Sequence, residues 1–434
     1  MNNKLTKIVS LCKRRGFVFP NSEIYGGVAG IFDYGPLGVE MANNIKQLWW
    51  EEMVHHRPDV VGIDGSIITH PTVWKASGHI AHFTEPLVDC LKCKKRFRLD
   101  DLKNGRCPEC GGKVSQPRKF NILVETGLGV IEGEKTTYYL RGEACQNIYL
   151  NYENVLRSTR QKIPFGIAQI GKAFRNEITP KHFLYRQREF EQWDLQFFVK
   201  PEETKKWYEY WKKQRMNWYK SFLNDKKKIR FRKHRQDELA HYAQIAYDIE
   251  FETSFAGWQE WEGIHWRGDW DLSRHGKFSG HDFTYQDPDT GEKFLPWVVE
   301  TSGGVDRTFL YFLEDAYYEE EVNQEIRTVL KLHPKIAPIK VAVFPLLTNK
   351  KDLVTQAQEI LSELSKNLAV DWDDNGNIGK RYRRQDEIGT PWCVTVDYDT
   401  LRDQTVTVRD RDTMKQERVK ANELLNYFKK KLDE

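Results

Sequence analysis

Residues 169–198 read QIGKAFRNEITPKHFLYRQREFEQWDLQFF, a pattern of two strands joined by a polar loop. The first strand, within GIAQIGKAFRNE, runs to Phe174-Arg175-Asn176-Glu177, and the second, REFEQWDLQFFV, is rich in aromatics. Thr179-Pro180 supplies the turn signal between them. Alternation along a strand sets Arg175 and Glu177 on one face. A guanidinium and a carboxylate presented together can grip a phosphate and an exocyclic amine. Arg186, in the loop's return, adds a second cation, and Phe190 offers an aromatic ledge for a base. In isolation such a hairpin is more often a surface held by ion pairs of little worth, so the rest of the chain decides its meaning.

The chain has 434 residues, a length of two or three domains. It is 39% hydrophobic and 13% aromatic, which supplies ample core. Lys+Arg 67 against Asp+Glu 63 gives a net charge of +4, so a nucleic-acid partner would have to be met by a local concentration of positive charge. No run approaches the roughly 18 apolar residues of a membrane helix. The start, MNNKLTKIVSLCKRRGF, lacks the apolar stretch and cleavage site of a secretory signal, and a cytoplasmic protein is expected.

Helical spacing runs over 38–56 through Val39, Ile45, Leu48, Trp49 and Met53, and VVGIDGSIITHP follows as a strand closed by Pro71. Further helices are expected at 143–158, at 202–224, near Asp237 and at 314–330. The stripe Trp207, Trp211, Trp218 and Phe222 reads as packing rather than as a base-stacking platform. The mixture is α+β, and the absence of a βαβ unit with a glycine-rich first turn excludes a dinucleotide fold. KLHPKIAP at 331–338 marks a boundary between domains 1–330 and 338–434. Beyond it VAVFPLL, a helix at 350–368, WCVTVDYD, TVTVRDRD and a helix at 417–432 alternate as a separate α/β domain. Residues 337–434 hold 17 Lys+Arg and 17 Asp+Glu, so the cluster Lys380, Arg381, Arg383 and Arg384 is the candidate phosphate-binding patch there.

Four of the seven cysteines form two knuckles, Cys90-x-x-Cys93 and Cys107-x-x-Cys110, within a small module at 87–118. This is zinc-ligand spacing, and four thiolates would close the tetrahedron, making the metal structural rather than catalytic. Cys12, Cys145 and Cys393 stand alone and read as small buried apolar residues. The sequence contains no GxSxG, HExxH or P-loop. Its chemistry must therefore come from charged groups that bind and polarise a substrate.

The 169–198 hairpin closely resembles motif 2 of the class II aminoacyl-tRNA synthetases. GGVDR at 303–307 resembles their motif 3, and Val60 to Pro71 with the preceding helix their dimer-forming motif 1. The specific match is to the homodimeric bacterial type of glycyl-tRNA synthetases, through FVFPNSEIYGG, FDYGPLGVE, HPTVWKASGH, ELAHYA, GWQEWEGI and GKRYRRQDEIGTPW. The resemblance covers nearly the whole chain. It implies an antiparallel sheet flanked by helices, a zinc-binding insertion and a C-terminal α/β anticodon-binding domain. It also implies ATP, magnesium, glycine and tRNA(Gly) as the molecules handled, and a homodimer. The implied reaction joins glycine to ATP as glycyl-adenylate, then passes it to the tRNA 3′ end.

By the same resemblance Arg175 would lie on the α-phosphate, with Asn176 and Tyr185 beside the nucleotide. Glu177 would accept from the adenine amine, Arg186 would hold the γ-phosphate, and Phe190 and Arg307 would sandwich the base. Arg175 and Arg307 would be the catalytic pair. Glu260 would be the acid near magnesium and ATP, next to Trp261. Arg98 and Arg267 would approach the amino acid, whose ammonium would be held by Glu143, Asp194 and Glu300 with Ser302. Two departures stand out. The family usually carries glutamate where this chain has Asp194, and RPETAQG where it has RGEACQN at 141–147.

Two other readings compete. One is a class II synthetase for proline, threonine or histidine, which would not need three acids around the ammonium. The other is a synthetase-like nucleic-acid-binding subunit without catalysis, which should have lost the ATP arginines; Arg175, Arg186 and Arg307 are all present.

Overall fold

The computed structural model describes residues 3–130, 136–240 and 242–434. Its centre is a seven-stranded sheet of β1 (Val60–Gly62), β2 (Phe165–Phe174), β3 (Glu189–Val199), β4 (Ile229–Lys233), β5 (Ile245–Thr253), β6 (Gly257–Gly268) and β7 (Trp297–Gly304). The spatial order is β4-β5-β6-β7-β3-β2-β1. Neighbours are antiparallel except β1, which pairs with β2 in parallel.

β3 shows why this sheet forms. Trp193, Leu195, Phe197 and Val199 alternate onto one face and enter the main core. There Trp193 stacks on Trp49 of the helix Pro36–Trp50, at 5.5 Å between ring centroids. Phe197 meets Trp207 and Trp211 of the helix Thr204–Phe222, so the aromatic stripe is packing, as its spacing implies. The intervening residues Asp194 and Gln196 face the other way, as does Phe198, which enters a second core with Tyr149, Tyr152 and Phe165.

β6 breaks its own alternation. Opposite β5, Ile249 pairs with Glu262 and Glu250 with Glu260, leaving Trp261 as a bulge residue. Trp261 and Glu262 consequently both turn to the helix side. Beneath the sheet Arg215 donates from Nε to Glu262 Oε1 at 2.6 Å and from Nη2 to Oε2 at 3.0 Å. Tyr219 OH and Trp193 Nε1 also donate to Glu262 Oε2.

Several sequence expectations change. The 314–330 helix is instead Val305–Ala316 followed by a hairpin, Tyr317–Val322 paired with Glu325–Leu330. Its two turn residues, Asn323 and Gln324, both lie at positive φ, the twist a tight hairpin needs. Asp237 begins no helix; residues 236–238 turn. The 143–158 helix is two short ones, Gln146–Leu150 and Tyr152–Thr159. The last segment divides into a strand, Gln416–Lys420, and a helix, Leu424–Asp433.

The C-terminal region builds a five-stranded sheet around its own core, with Val341–Pro345 and Trp392–Val396 central and fully buried. The proposed basic patch does not survive intact. Arg381 is buried and donates to the backbone carbonyls of Pro345, Asp374 and Gly376. Arg384 forks onto Asp373 at 2.6 and 2.8 Å. Only Lys380 and Arg383 of the four are left for an external phosphate. A second buried pair ties the two regions: Arg327 of the hairpin donates to Asp386 of the helix Ile378–Ile388 at 2.8 Å.

Removing one partner of a buried ion pair strands the other charge. Glu262→Ala is therefore expected to lower the unfolding free energy by about 3–5 kcal/mol. Urea unfolding followed by tryptophan fluorescence checks this; a loss under about 1 kcal/mol would show that Arg215 is not held by Glu262.

Candidate active site

A cleft of about 480 Å³ opens on the face of the sheet that β3 and β7 present through Asp194, Glu300 and Ser302. Its two ends have opposite character.

At one end lie cationic and aromatic groups. Arg175 donates to Gly142 O at 3.1 Å, and its guanidinium lies 5.1 Å from the ring centroids of both Phe83 and Phe190. Glu177 is buried, yet its Oε2 has no hydrogen-bond partner, and neither has Nη1 of Arg186. The two side chains approach only to 3.9 Å. Buried polar atoms left over in this way mark a place built for a polar ligand. Arg307, at the start of the helix Val305–Ala316, lies 4.8 Å from the Tyr185 ring centroid and 3.2 Å from Glu260 Oε2. Loss of solvent on its cleft-wall side would raise the Glu260 carboxyl, but Arg307 outweighs it and holds the half-exposed group below its usual range.

At the other end three carboxylates converge. Glu143 takes hydrogen bonds from the Cys145 thiol at 2.9 Å and Gln146 Nε2 at 3.0 Å, and pairs with His79 Nε2 at 3.1 Å. Burial opposes its charge, yet His79 and then Arg267 hold it well below the usual carboxylate range. Glu300 meets Arg267 Nη1 at 2.8 Å, Gln196 Nε2 at 2.8 Å and His265 Nδ1 at 2.6 Å. Against burial, Arg267 and His265 bring it down to about 2. Asp194 accepts from Ser302 Oγ at 3.0 Å and from Gln196 Nε2. Arg267 is the one arginine among them, and it is shared with Asp271 at 2.7 Å. The pocket is thus short of positive charge.

The cysteines come together as well. Cys90 and Cys110 sulfurs lie 3.5 Å apart and those of Cys93 and Cys107 3.8 Å, all four within 4.8 Å of one another. Zinc–sulfur bonds of about 2.3 Å in a tetrahedron set sulfurs about 3.8 Å apart, so the four fit one metal ion. The Cys93 amide donates to Cys90 Sγ, which supports a thiolate there.

Comparison with known proteins follows the same lines. Residues 128–316 match the tRNA synthetase class II core domain (G, H, P, S and T), and residues 340–431 the anticodon binding domain. Glycine–tRNA ligase of Treponema denticola is 52% identical over 98% of this chain and 96% of its own length. That of Borreliella burgdorferi is 50% identical over 98% and 97%, and that of Caldanaerobacter subterraneus subsp. tengcongensis 49% over 99% and 98%. The chain belongs to the glycine–tRNA ligase family.

Of the residues that resemblance to glycine–tRNA ligases singles out, most line the cleft: Arg98, Glu143, Arg175, Glu177, Tyr185, Arg186, Phe190, Asp194, Glu260, Glu300, Ser302 and Arg307. Three do not. Trp261 is the bulge residue; it is buried among Tyr219, Phe251 and Tyr311 and donates to Thr308 Oγ1 at 2.9 Å. Asn176 is exposed, tied by its amide to Ile122 O. Arg267 lies behind Glu300 rather than in the cleft, with the Tyr242 ring 3.7 Å over its guanidinium. Arg98, expected beside the amino acid, instead pairs with Glu85 at 3.1 Å. Glu85 has Glu177, Arg186 and Arg175 for charged neighbours, so both belong to the arginine-rich end of the cleft.

Sequence reasoning missed Glu85, His79, Gln196, Tyr242 and His265, and took Cys145 for plain filling. Gln196 was within reach, two places beyond Asp194 on the same strand face. His265 was not, because the bulge at Trp261 decides which face it takes. Gly263 makes room for it, since a Cβ there would come within 2.5 Å of the His265 ring.

Proposed function

We propose that this cleft activates glycine with ATP and passes it to tRNA(Gly), and that the charge division just described assigns the two ends. The observation that carries the assignment is a pocket of three buried carboxylates beside unsatisfied polar atoms of Glu177 and Arg186. A cation with almost no side chain suits the first, and a nucleotide the second. The retained Arg175, Arg186 and Arg307 leave a catalytically silent subunit without support.

In this reading ATP binds bent. Phe190 and Arg307 enclose the adenine, and the free Glu177 Oε2 accepts from its amine. Arg186 meets the γ-phosphate and Arg175 the α-phosphate. Glu143, Asp194 and Glu300 hold the glycine ammonium, while Arg267, His79 and His265 fix the orientation of Glu300 and Glu143. The glycine carboxylate is ionised at neutral pH and needs no general base. It attacks the α-phosphorus in line, and pyrophosphate leaves. Positioning and the arginine charges supply the catalysis. The tRNA terminal hydroxyl then attacks the carbonyl of the mixed anhydride and AMP departs.

Glu260 has half its side chain open to the cleft and only one oxygen on Arg307, so it suits a magnesium ion that would neutralise phosphate charge. Zinc in the four-cysteine site would organise the 87–118 module from a closed coordination sphere, apart from the chemistry. The catalytic part is taken as 1–330 and the anticodon-binding part as 338–434. Exposed Val39, Ile67 and Ile68 suit a homodimer contact. Among the described residues no helix is long and apolar enough to cross a membrane; a tRNA substrate places the reaction in the cytoplasm.

Pyrophosphate exchange measured with each amino acid tests the activity: exchange should depend on glycine alone. Arg175→Ala should cut that exchange by orders of magnitude with unchanged thermal stability, because the lost contact strengthens as charge develops at phosphorus. Near-normal exchange would remove this hairpin from the ATP site. Glu300→Gln keeps shape but removes one charge. A charge-assisted contact is worth about 1.5–3 kcal/mol, so glycine affinity should fall roughly ten- to hundredfold and ATP affinity stay put. Metal analysis should find one zinc per chain, and Cys107→Ser should loosen residues 87–118 in hydrogen exchange while the rest stays protected. Protein free of zinc and of iron would reject the metal site.

A further inference from the structure

The three carboxylates differ in what balances them. Glu143 faces His79, and Glu300 faces Arg267 and His265. Among the described residues no cationic side chain pairs with Asp194. Its partners are the neutral amide of Gln196 and the hydroxyl of Ser302. Gln196 Nε2 also donates to Glu300 Oε1 at 2.8 Å, so one amide bridges two acids whose oxygens lie within 4.8 Å. Tyr149 OH donates to Gln196 Oε1, which fixes the amide with its nitrogen toward the acids. Asp194 is 1% exposed.

β7 turns Glu300 and Ser302 toward Asp194. The segment before Gln146–Leu150 brings Glu143 and Cys145. β6 brings Arg267 and His265, both engaged by Glu300. From the loop before β5, Tyr242 covers Arg267. Its register partner on β2 is the neutral Gln169, and its own strand offers Gln192 and Gln196. Arg141 has Asp194 among its charged neighbours, but its Nε and Nη1 donate to the carbonyls of Lys172 and Gly65. A buried carboxylate flanked by two others and lacking a counter-ion is costly to ionise.

We infer that Asp194 carries a proton when the amino-acid pocket is empty, and that the ammonium of the incoming amino acid displaces it, so that glycine binds by exchanging a cation for a proton. This rests on the glycine-pocket reading above and adds a role within it. The Asp194 O–H bond breaks, its electron pair stays on the carboxylate, and the proton passes to the buffer. The carboxylate then accepts from the ammonium, which keeps all its own protons. Burial first, then Glu300 and Glu143, push the Asp194 carboxyl well above its usual range. In the range where Asp194 is protonated, glycine affinity should rise up to about tenfold per pH unit, then level off above it.

The test is calorimetric titration of glycine into the full zinc-loaded chain at pH 6.5, in phosphate and in imidazole, whose ionisation heats differ widely. The wild type should release a large fraction of one proton per glycine. Asp194→Asn should bind more weakly, release none and lose the pH dependence. Glu300→Gln keeps Asp194 but removes a repelling neighbour, so its release should shrink. Equal heats in the two buffers for the wild type would overturn the proposal, as would Asp194→Asn releasing as much as the wild type. If Asp194→Asn no longer binds glycine, undiminished release in Glu300→Gln overturns it instead. Absence of both glycine-dependent heat and glycine-dependent pyrophosphate exchange in the wild type would be a different failure, that of the pocket reading itself.

Discussion

The buried fork between Arg215 and Glu262 is the contact on which the rest of the catalytic face depends. β6 breaks simple alternation twice, at Trp261 opposite β5 and again at Arg267 opposite β7. With Glu262 drawn down to Arg215, Tyr219 and Trp193, the strand resumes its pleat one residue out of phase. Gly263 and His265 then face the cleft, and Arg267 comes to lie behind Glu300. The ion pair repays its desolvation with full hydrogen bonding. What it secures is a register, with the cleft side populated by one specific set of side chains.

That set divides the cleft electrically. Arginines and unsatisfied polar atoms gather where β2 and β3 leave their hairpin, and carboxylates gather where β3, β6 and β7 run side by side. The two ends are rigid for different reasons. The acids are held by neutral amides, a hydroxyl and a thiol as well as by charge, so they are in place before any ligand arrives. The arginines lean on aromatic rings, Phe83 and Phe190 for Arg175 and Tyr185 for Arg307, and each is tied through Nε to a backbone carbonyl, of Gly142 and Tyr185 respectively. Cys145 joins the acid end through its bond to Glu143, and an apolar filler could not make that bond.

The catalytic sheet and the C-terminal sheet are mechanically connected as well as consecutive. The helix Val305–Ala316, which carries Arg307 in its first turn, runs straight into the hairpin Tyr317–Leu330. Arg327 of that hairpin is gripped by Asp386, which also accepts from Arg409 at 2.9 Å.

Much of this was legible in the residues alone. The aromatic alternation of QWDLQFFV, the paired cysteine knuckles and the prolines at 331–338 report local geometry, because each depends on neighbours a few positions away. The long motifs around Arg175, Glu177, Arg186 and Arg307 carried the family. Errors arose where distant groups compete for a residue. The 314–330 segment has helical composition, but Asn323 and Gln324 accept positive φ and the hairpin buries Arg327 against Asp386. Arg381 and Arg384 read as a basic surface, yet backbone carbonyls and Asp373 consume them. Trp261 and His265, four places apart on one strand, lie on opposite faces because a bulge shifts the pleat, and Arg98 lies with Glu85 because their strands, Arg96–Arg98 and Thr84–Asp89, pair. The sequence by itself determined which chemical groups are available, since strand alternation and ligand spacing are short-range. Only the tertiary structure decided which of them meet, because burial, bulges and ion pairs are settled between segments far apart in the chain.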